Sequence, residues 1–258
     1  MASPIPSFKG LLLDLDGTLY VGDSPLPGAV DALNRIHSAG TPVRFLTNTT
    51  SKPRSAIIAH ARDLGLSIDP RHLYTPPMVA RDLLLAAGRT RCHCLLTPEV
   101  IADIEGIEQV DENPDAVVLG DMGNLFTIDR LDRALRFLLD GVPFYTLARN
   151  RCFRAGSGLR LDVGAYAVAL EFGSRREAVL LGKPAVHFFK AALNDMALAP
   201  EDVIMVGDDI EGDVAGAQNA GIRGVLVRTG KFRESDLQRG ITPDAVLASF
   251  ATLVAPAR

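Results

Sequence analysis

Leu11-Leu12-Leu13-Asp14-Leu15-Asp16-Gly17-Thr18 is the stretch on which the fold turns. The apolar run reads as a buried strand, so the carboxylates directly after it emerge at the strand's C-terminal end, where open α/β sheets bind ligands. Two residues apart on an extended backbone, Asp14 and Asp16 can share a direction. Gly17 lets the chain turn and leaves its N–H free for an anion. A strand-ending Asx turn would also suit an Asp-Gly pair, so the stretch needs support from elsewhere in the chain.

Outward from this strand, Ala29 to Ala39 has apolar residues at helical spacing and stops at Gly40. Val43-Arg44-Phe45-Leu46 reads as the next strand, and Ile57 to Leu64 as a helix closed by Gly65. The last third repeats this rhythm: a helix near Ala185 to Met196, a strand at Val203 to Val206, a helix near Val214 to Ala220 and a strand at Val225 to Val227. Strands alternating with helices predict an α/β fold with a Rossmann-like, doubly wound parallel sheet. Strand candidates at Cys92 to Leu96, Ala116 to Leu119 and Phe144 to Leu147, with a helix near Ile128 to Leu139, read as a second, smaller α/β unit. Pro76-Pro77 and Leu181-Gly182-Lys183-Pro184 are places for the chain to leave and re-enter the first domain. The expected organisation is a core of residues 1–78 and 180–258 with an inserted domain of residues 79–179.

At 258 residues, with 47% hydrophobic and 22% charged, the chain has the make-up of an ordinary globular protein with a sizeable core. A net charge of -4 leaves no basic footprint for nucleic acid or an anionic membrane, so any phosphate site must be locally basic or metal-assisted. The Met1 to Ser7 stretch lacks the charged start and apolar run of a signal peptide, and no segment approaches about 18 uninterrupted apolar residues, so the expected location is the cytoplasm. The three cysteines make a disulfide scaffold improbable. In Cys92-His93-Cys94, strand alternation puts His93 on the face opposite both cysteines, which favours core packing over metal ligation.

A second acidic cluster, Gly207-Asp208-Asp209-Ile210-Glu211-Gly212-Asp213, also follows an apolar strand and should open at the same sheet edge. Unit charges about 4 Å apart repel by roughly 4 kcal/mol at an effective dielectric of about 20, so converging carboxylates call for protonation or a counter-charge. Magnesium is a natural remedy, because it takes oxygen ligands and uses few carboxylates. An acidic helix N-terminus favouring the dipole is the plainer account of this segment. Thr47-Asn48-Thr49-Thr50-Ser51 offers donors for a phosphate, or a helix N-cap before Pro53. Lys183 sits in a loop before a helix, where it could neutralise phosphate charge or simply be solvated.

Order and spacing join these signals: a nucleophile strand, a hydroxyl strand, a lysine loop and an acidic strand. Together they resemble the haloacid dehalogenase superfamily, whose four motifs match Asp14-Leu15-Asp16-Gly17-Thr18, Thr47-Asn48, Lys183, and Gly207-Asp208 with Asp213. The resemblance implies Asp14 as nucleophile and Mg²⁺ ligand, Asp16 as general acid and base with its backbone carbonyl on the metal, and Asp208 as a further ligand. It implies that Thr47, Asn48, Lys183 and the N–H groups around Asp16 and Gly17 hold the phosphoryl group, and that Asp213 orients the site. Asp209 and Glu211 match no fixed role.

The insertion between the second and third motifs is similar to the subfamily with an α/β cap at that place. Arg151-Cys152-Phe153, Gly158 to Tyr166 and Ala169 to Phe172 look most like phospholysine phosphohistidine inorganic pyrophosphate phosphatases and their relatives. Arg149-Asn150-Arg151 stands where many members have Asn-Pro-Asp, which argues against pyridoxal phosphate as substrate. Asn150, Arg151, Arg154 and Tyr166 are the candidates for substrate contact, and Gly156-Ser157-Gly158 reads as a turn. The implied protein is a Mg²⁺-dependent phosphatase of small phosphorylated molecules, with a homodimer through the cap. A phosphotransferase or mutase, or a catalytically idle phosphate-binding module, are the rival readings.

Overall fold

Leu11, Leu12 and Leu13 are each 0% exposed, because their strand lies in the middle of a parallel sheet covered on both faces. A computed structural model describes residues 5–155 and 158–253, with the backbone alone at residues 153–155; Gly156 and Ser157 of the expected turn lie outside the described residues. The described residues of Met1–Thr47, Ser55–Tyr74 and Lys183–Arg258 form one compact unit, and those of Asn48–Arg54 and Thr75–Gly182 a second. The second unit is wider at both ends than the 79–179 read from the sequence, and it takes in Asn48.

The first unit holds six parallel strands in the order Ala245–Leu247, Arg223–Val227, Val203–Gly207, Gly10–Asp14, Val43–Leu46 and Leu73–Tyr74. From Gly10–Asp14 the chain steps to one side of the sheet and later returns to fill the other, so the winding reverses between Gly10–Asp14 and Val203–Gly207. That reversal is the point at which such sheets leave a crevice outside the strand ends. Leu11, Leu13, Phe45, Val206 and Val225 share one core cluster with Leu33 and Ile36 of the helix Ala29–Ser38. Burying each such side chain contributes about 1.5–3 kcal/mol.

The second unit has its own five-stranded parallel sheet, in the order Val179–Leu180, Phe144–Thr146, Ala116–Leu119, Arg91–Leu95 and Glu108–Gln109. Cys92 and Cys94 pack with Val118 and Tyr145. His93 faces the other way, against the ring of Phe137 at 5.2 Å between centroids. A hairpin, Cys152–Ala155 with Gly158–Leu161, and the helix Val163–Ser174 follow. Among the described residues, no helix is long and apolar enough to cross a membrane.

Several elements differ from the sequence reading for identifiable reasons. Leu73–Tyr74, Glu108–Gln109 and Val179–Leu180 are two-residue strands, too short to show a period. Pro76 and Pro77 do lie just past a change of unit, at Tyr74–Thr75, but they also open the helix Pro76–Ala86, in whose first turn proline's missing N–H costs nothing. Val163–Ser174 is apolar almost all round and so lacks the stripe that marks a helix packed on one side. The expected helix after Val214 begins earlier, as a π-helical turn Ile210–Ala215 that runs into Gly216–Asn219.

His93 gives the second unit a pH dependence. Its Nδ1 lies 3.1 Å from the Val110 carbonyl and 3.3 Å from Asp111 Oδ1, while Nε2 is buried with no hydrogen-bond partner among the described residues. Burial lowers its pKa, with Arg133 adding to the effect and Val110 and Asp111 opposing it. A histidine whose folded pKa lies below its unfolded value of about 6.5 stabilises the fold above that pH and loses the contribution as pH falls through it. The melting temperature of the wild type should therefore drop more between about pH 7.5 and about pH 5 than that of His93→Gln. Equal drops would show that the neutral ring is not what the fold prefers.

Candidate active site

Parallel pairing sets the C-terminal ends of the first unit's strands along one edge. Asp14 pairs with Leu46, so Thr47 follows close by, and Gly207 pairs with Leu226 one strand further on. At this edge Asp14, Asp208 and Asp213 offer carboxylate oxygens that all lie within 4.8 Å of one another. Their residues are 6%, 1% and 0% exposed.

Lys183 closes the cluster. Its Nζ donates to Asp14 Oδ1 at 2.5 Å, to Asp213 Oδ1 at 2.6 Å and to the Leu46 carbonyl at 3.4 Å. Thr18 Oγ1 donates to Asp14 Oδ2 at 3.2 Å, so both oxygens of Asp14 are oriented. Asp213 is held at both oxygens too, since its Oδ2 accepts the Asp209 N–H at 3.1 Å. Asp208 Oδ2 accepts the Lys231 N–H at 2.5 Å. Asp213 fits because Gly207 has no side chain: a Cβ there would stand 2.1 Å from Asp213 Oδ2.

The Lys183 ammonium, with the charge of Lys231 acting from nearby, faces three buried carboxylates, so negative charge is in excess, and burial together with that excess moves the Asp208 and Asp213 pKa values up. Burial, then Asp14 and Asp213, push the Asp208 carboxyl up to about 8. Burial also drives Asp213 up, to about 7, with Lys183 pulling the other way. Burial works against the Lys183 ammonium, but Asp14 and Asp213 outweigh it and hold its pKa above the ordinary lysine range. A set of hard oxygen donors in this charge state fits a divalent cation, which would take the place of the protons. Asp14, Asp208 and Asp213 each offer an oxygen to such an ion, and Asp208, with one hydrogen bond on Oδ2 among the described residues, is the least engaged of the three.

The other expected site residues are distributed as follows. Asp16 is exposed, one turn beyond the cluster, and its charge together with that of Asp14 adds to burial in raising the pKa of Tyr20. Gly17 differs from the sequence reading: its N–H is not free for an anion but donates to the Tyr20 carbonyl at 2.7 Å. The tight turn after Asp16 folds back on itself and uses that donor. Thr47 is buried directly after its strand, its N–H on the Tyr74 carbonyl at 3.2 Å.

Asn48, Asn150 and Arg151 belong to the second unit. There the Asn150 carbonyl accepts the Gly164 N–H at 3.0 Å and the Arg151 carbonyl accepts the Asp162 N–H at 3.1 Å, so both anchor the loop before the hairpin. Tyr166 stacks on Phe126 with centroids 3.8 Å apart. Arg154 is described by its backbone alone, paired with Leu159. Sequence reasoning assigned no role to Thr18, Thr229 or Lys231. The last two follow the apolar run Val225 to Val227, so the strand-end argument used for Asp14 and Asp208 applies to them equally.

Comparison with known proteins gives the same assignment. Residues 11–108 match the haloacid dehalogenase-like hydrolase family and residues 180–253 the HAD-hydrolase-like family. The chain is 38% identical over 239 residues to phospholysine phosphohistidine inorganic pyrophosphate phosphatase of Danio rerio, covering 90% of this chain and 87% of that protein. It is 38% identical over 231 residues to haloacid dehalogenase-like hydrolase domain-containing protein 2 of Rattus norvegicus, covering 90% and 88%. Among solved structures, 4-nitrophenylphosphatase of Thermotoga maritima superposes with a TM-score of 0.88 at 30% identity over 95% of this chain and 96% of that one. For p-nitrophenyl phosphatase of Archaeoglobus fulgidus the values are 0.90, 25%, 96% and 98%. The chain belongs to the haloacid dehalogenase-like hydrolases, in the subfamily IIA phosphatases.

Proposed function

We propose that the chain hydrolyses small phosphorylated molecules through a phosphoryl group carried transiently on Asp14, with Mg²⁺ as the cation. The observation that supports this most is the environment of Asp14: a buried carboxylate oriented at one oxygen by Lys183 and at the other by Thr18, beside the Asp208 carboxylate. An Asp14 oxygen would attack phosphorus, and the bond from phosphorus to the leaving oxygen would break as Asp16 gives that oxygen a proton. Asp16, now ionised, would take a proton from water as the water oxygen attacks phosphorus, releasing phosphate and restoring Asp14. The exposure of Asp16 suits an acid that must exchange its proton with solvent between steps. Lys183 and Thr18 orient Asp14, and Asp213 holds Lys183 in place. The cation, held by Asp14, Asp208 and the Asp16 carbonyl, would supply charge to offset the transferring group.

Asp14→Asn should fold like the wild type and give no phosphate release above background, because an amide cannot become an acyl phosphate. Chelation should remove wild-type activity, and added Mg²⁺ should restore it and raise the melting temperature by binding the folded form. Turnover by Asp14→Asn, or full activity in excess chelator, would overturn the reading.

We assign substrate selection to the second unit, with Asn150 and Arg151 in the loop after the Phe144–Thr146 strand. Arg151→Ala should raise KM for substrates with large anionic leaving groups more than for 4-nitrophenyl phosphate; equal changes would remove Arg151 from selection. The same unit exposes Val168 and Phe172, at 54% and 88%, one turn apart on its last helix. A second copy of the chain is the partner we assign to that face. Sedimentation should show a dimer that Phe172→Asp converts to monomer, and a wild-type monomer at micromolar concentration would refute it.

A further inference from the structure

The strand Arg223–Val227 runs parallel to Val203–Gly207, so the turn that follows it reaches the edge that carries Asp208. Three contacts bind this turn to the acidic cluster. Thr229 Oγ1 donates to the Gly17 carbonyl at 2.6 Å. The Lys231 N–H donates to Asp208 Oδ2 at 2.5 Å. Between them, Gly230 lies so close that a Cβ would stand 2.0 Å from Asp208 Oδ2 and 2.4 Å from Gly17 Cα. A Cβ on Gly17 would also stand 2.0 Å from Asp208 Oδ2, so the carboxylate is seated between two glycines. The turn is itself braced, since Arg228 pairs with Glu234 and lies over the Phe232 ring at 5.3 Å.

Gly17, at φ +88°, is the most pliant point of the loop that carries Asp16. Its N–H is fixed by the Tyr20 carbonyl and its own carbonyl by Thr229. The Asp16 carbonyl shares a planar trans peptide with the Gly17 N–H and so points the opposite way. Fixing Gly17 on both sides therefore fixes the direction of the Asp16 carbonyl. Asp208, on the adjoining strand, is fixed by the same turn.

We propose that Thr229 is a positioning residue of the phosphoryl-transfer site: its hydroxyl holds the Gly17–Thr18 peptide by its carbonyl while Tyr20 holds the Asp16–Gly17 peptide by its N–H, and with the Gly230–Lys231 backbone on Asp208 this fixes Gly17 on both sides, so that the Asp16 carbonyl and the Asp208 carboxylate present oxygen to one divalent cation. This rests on the reading above, in which the Asp16 carbonyl and Asp208 face the cation. In that reading Thr229 touches neither substrate nor cation, its hydroxyl being committed to the Gly17 carbonyl. It acts through the partners that do, and such outer partners are typically worth about 10–100-fold in metal affinity.

The test compares wild type, Thr229→Val, Thr229→Ala and Thr229→Ser by three measurements: calorimetric Mg²⁺ binding without substrate, the Mg²⁺ concentration for half-maximal hydrolysis of 4-nitrophenyl phosphate, and melting without metal. Thr229→Val should bind Mg²⁺ about tenfold more weakly and need about tenfold more for half-activation. Its kcat at saturating Mg²⁺ should stay within a few-fold of wild type, and its metal-free melting close to it. Thr229→Ser should restore binding. Should the valine variant fail to fold, Thr229→Ala removes the same hydroxyl without adding bulk and should show the same weakening.

Undiminished Mg²⁺ binding in the variants, failure of serine to restore it, or a loss matched by an equal loss of metal-free stability would overturn the proposal. A wild type that binds Mg²⁺ but hydrolyses no phosphate ester would sink the proposed function alone, because calorimetry would still decide the role of Thr229. A wild type that binds no Mg²⁺ would overturn both.

Discussion

Three carboxylates buried within 4.8 Å of one another are the constraint that shapes the first unit. Repulsion of several kcal/mol between such charges would expel them from a core unless each is given a partner. Each is. Lys183 bridges Asp14 and Asp213, backbone N–H groups reach Asp208 and Asp213, and glycines stand wherever a carboxylate presses against the main chain. The pKa values of Asp208 and Asp213 stay raised in spite of this. The cluster therefore retains a pull toward positive charge, and a site that handles phosphate next to a cation can use that pull.

The same constraint separates two aspartates that look alike in the sequence. Asp213 has one oxygen on Lys183 and the other on the Asp209 N–H, so it is committed to protein partners. Asp208 is held through Oδ2 alone among the described residues. The two residues thus differ in how far protein partners occupy them, a difference that the roles proposed for them would use. Thr18 shows how much a motif can contain without announcing it: a hydroxyl four residues after Asp14 completes the orientation of that carboxylate.

How much was legible depended on how local the signal was. Leu11 to Asp16 and Val203 to Asp208 announce strands followed by carboxylates, and burial in a parallel sheet leaves such runs unbroken, so both the fold and its acidic edge could be read. The N–H of Gly17 could not, because its partner is the carbonyl of Tyr20, and which acceptor a turn closes on is a matter of backbone geometry. Leu73–Tyr74 forms a sheet edge with two residues, which no periodicity can reveal. Val163–Ser174 hides for the opposite reason, being apolar on the face it buries and on the face it shows.

Asn48 marks the limit of reading by motif. Thr47 and Asn48 are adjacent and were taken as one element, yet the chain changes unit between them. Thr47 is the last residue of its segment in the first unit, its N–H on Tyr74, while the Asn48 side chain lies against Gly182, where a Cβ would stand 2.7 Å from its Oδ1. The chain changes unit at four places: two are Arg54 to Ser55 and Tyr74 to Thr75, and the other two, Thr47 to Asn48 and Gly182 to Lys183, each fall at an expected phosphate-binding residue.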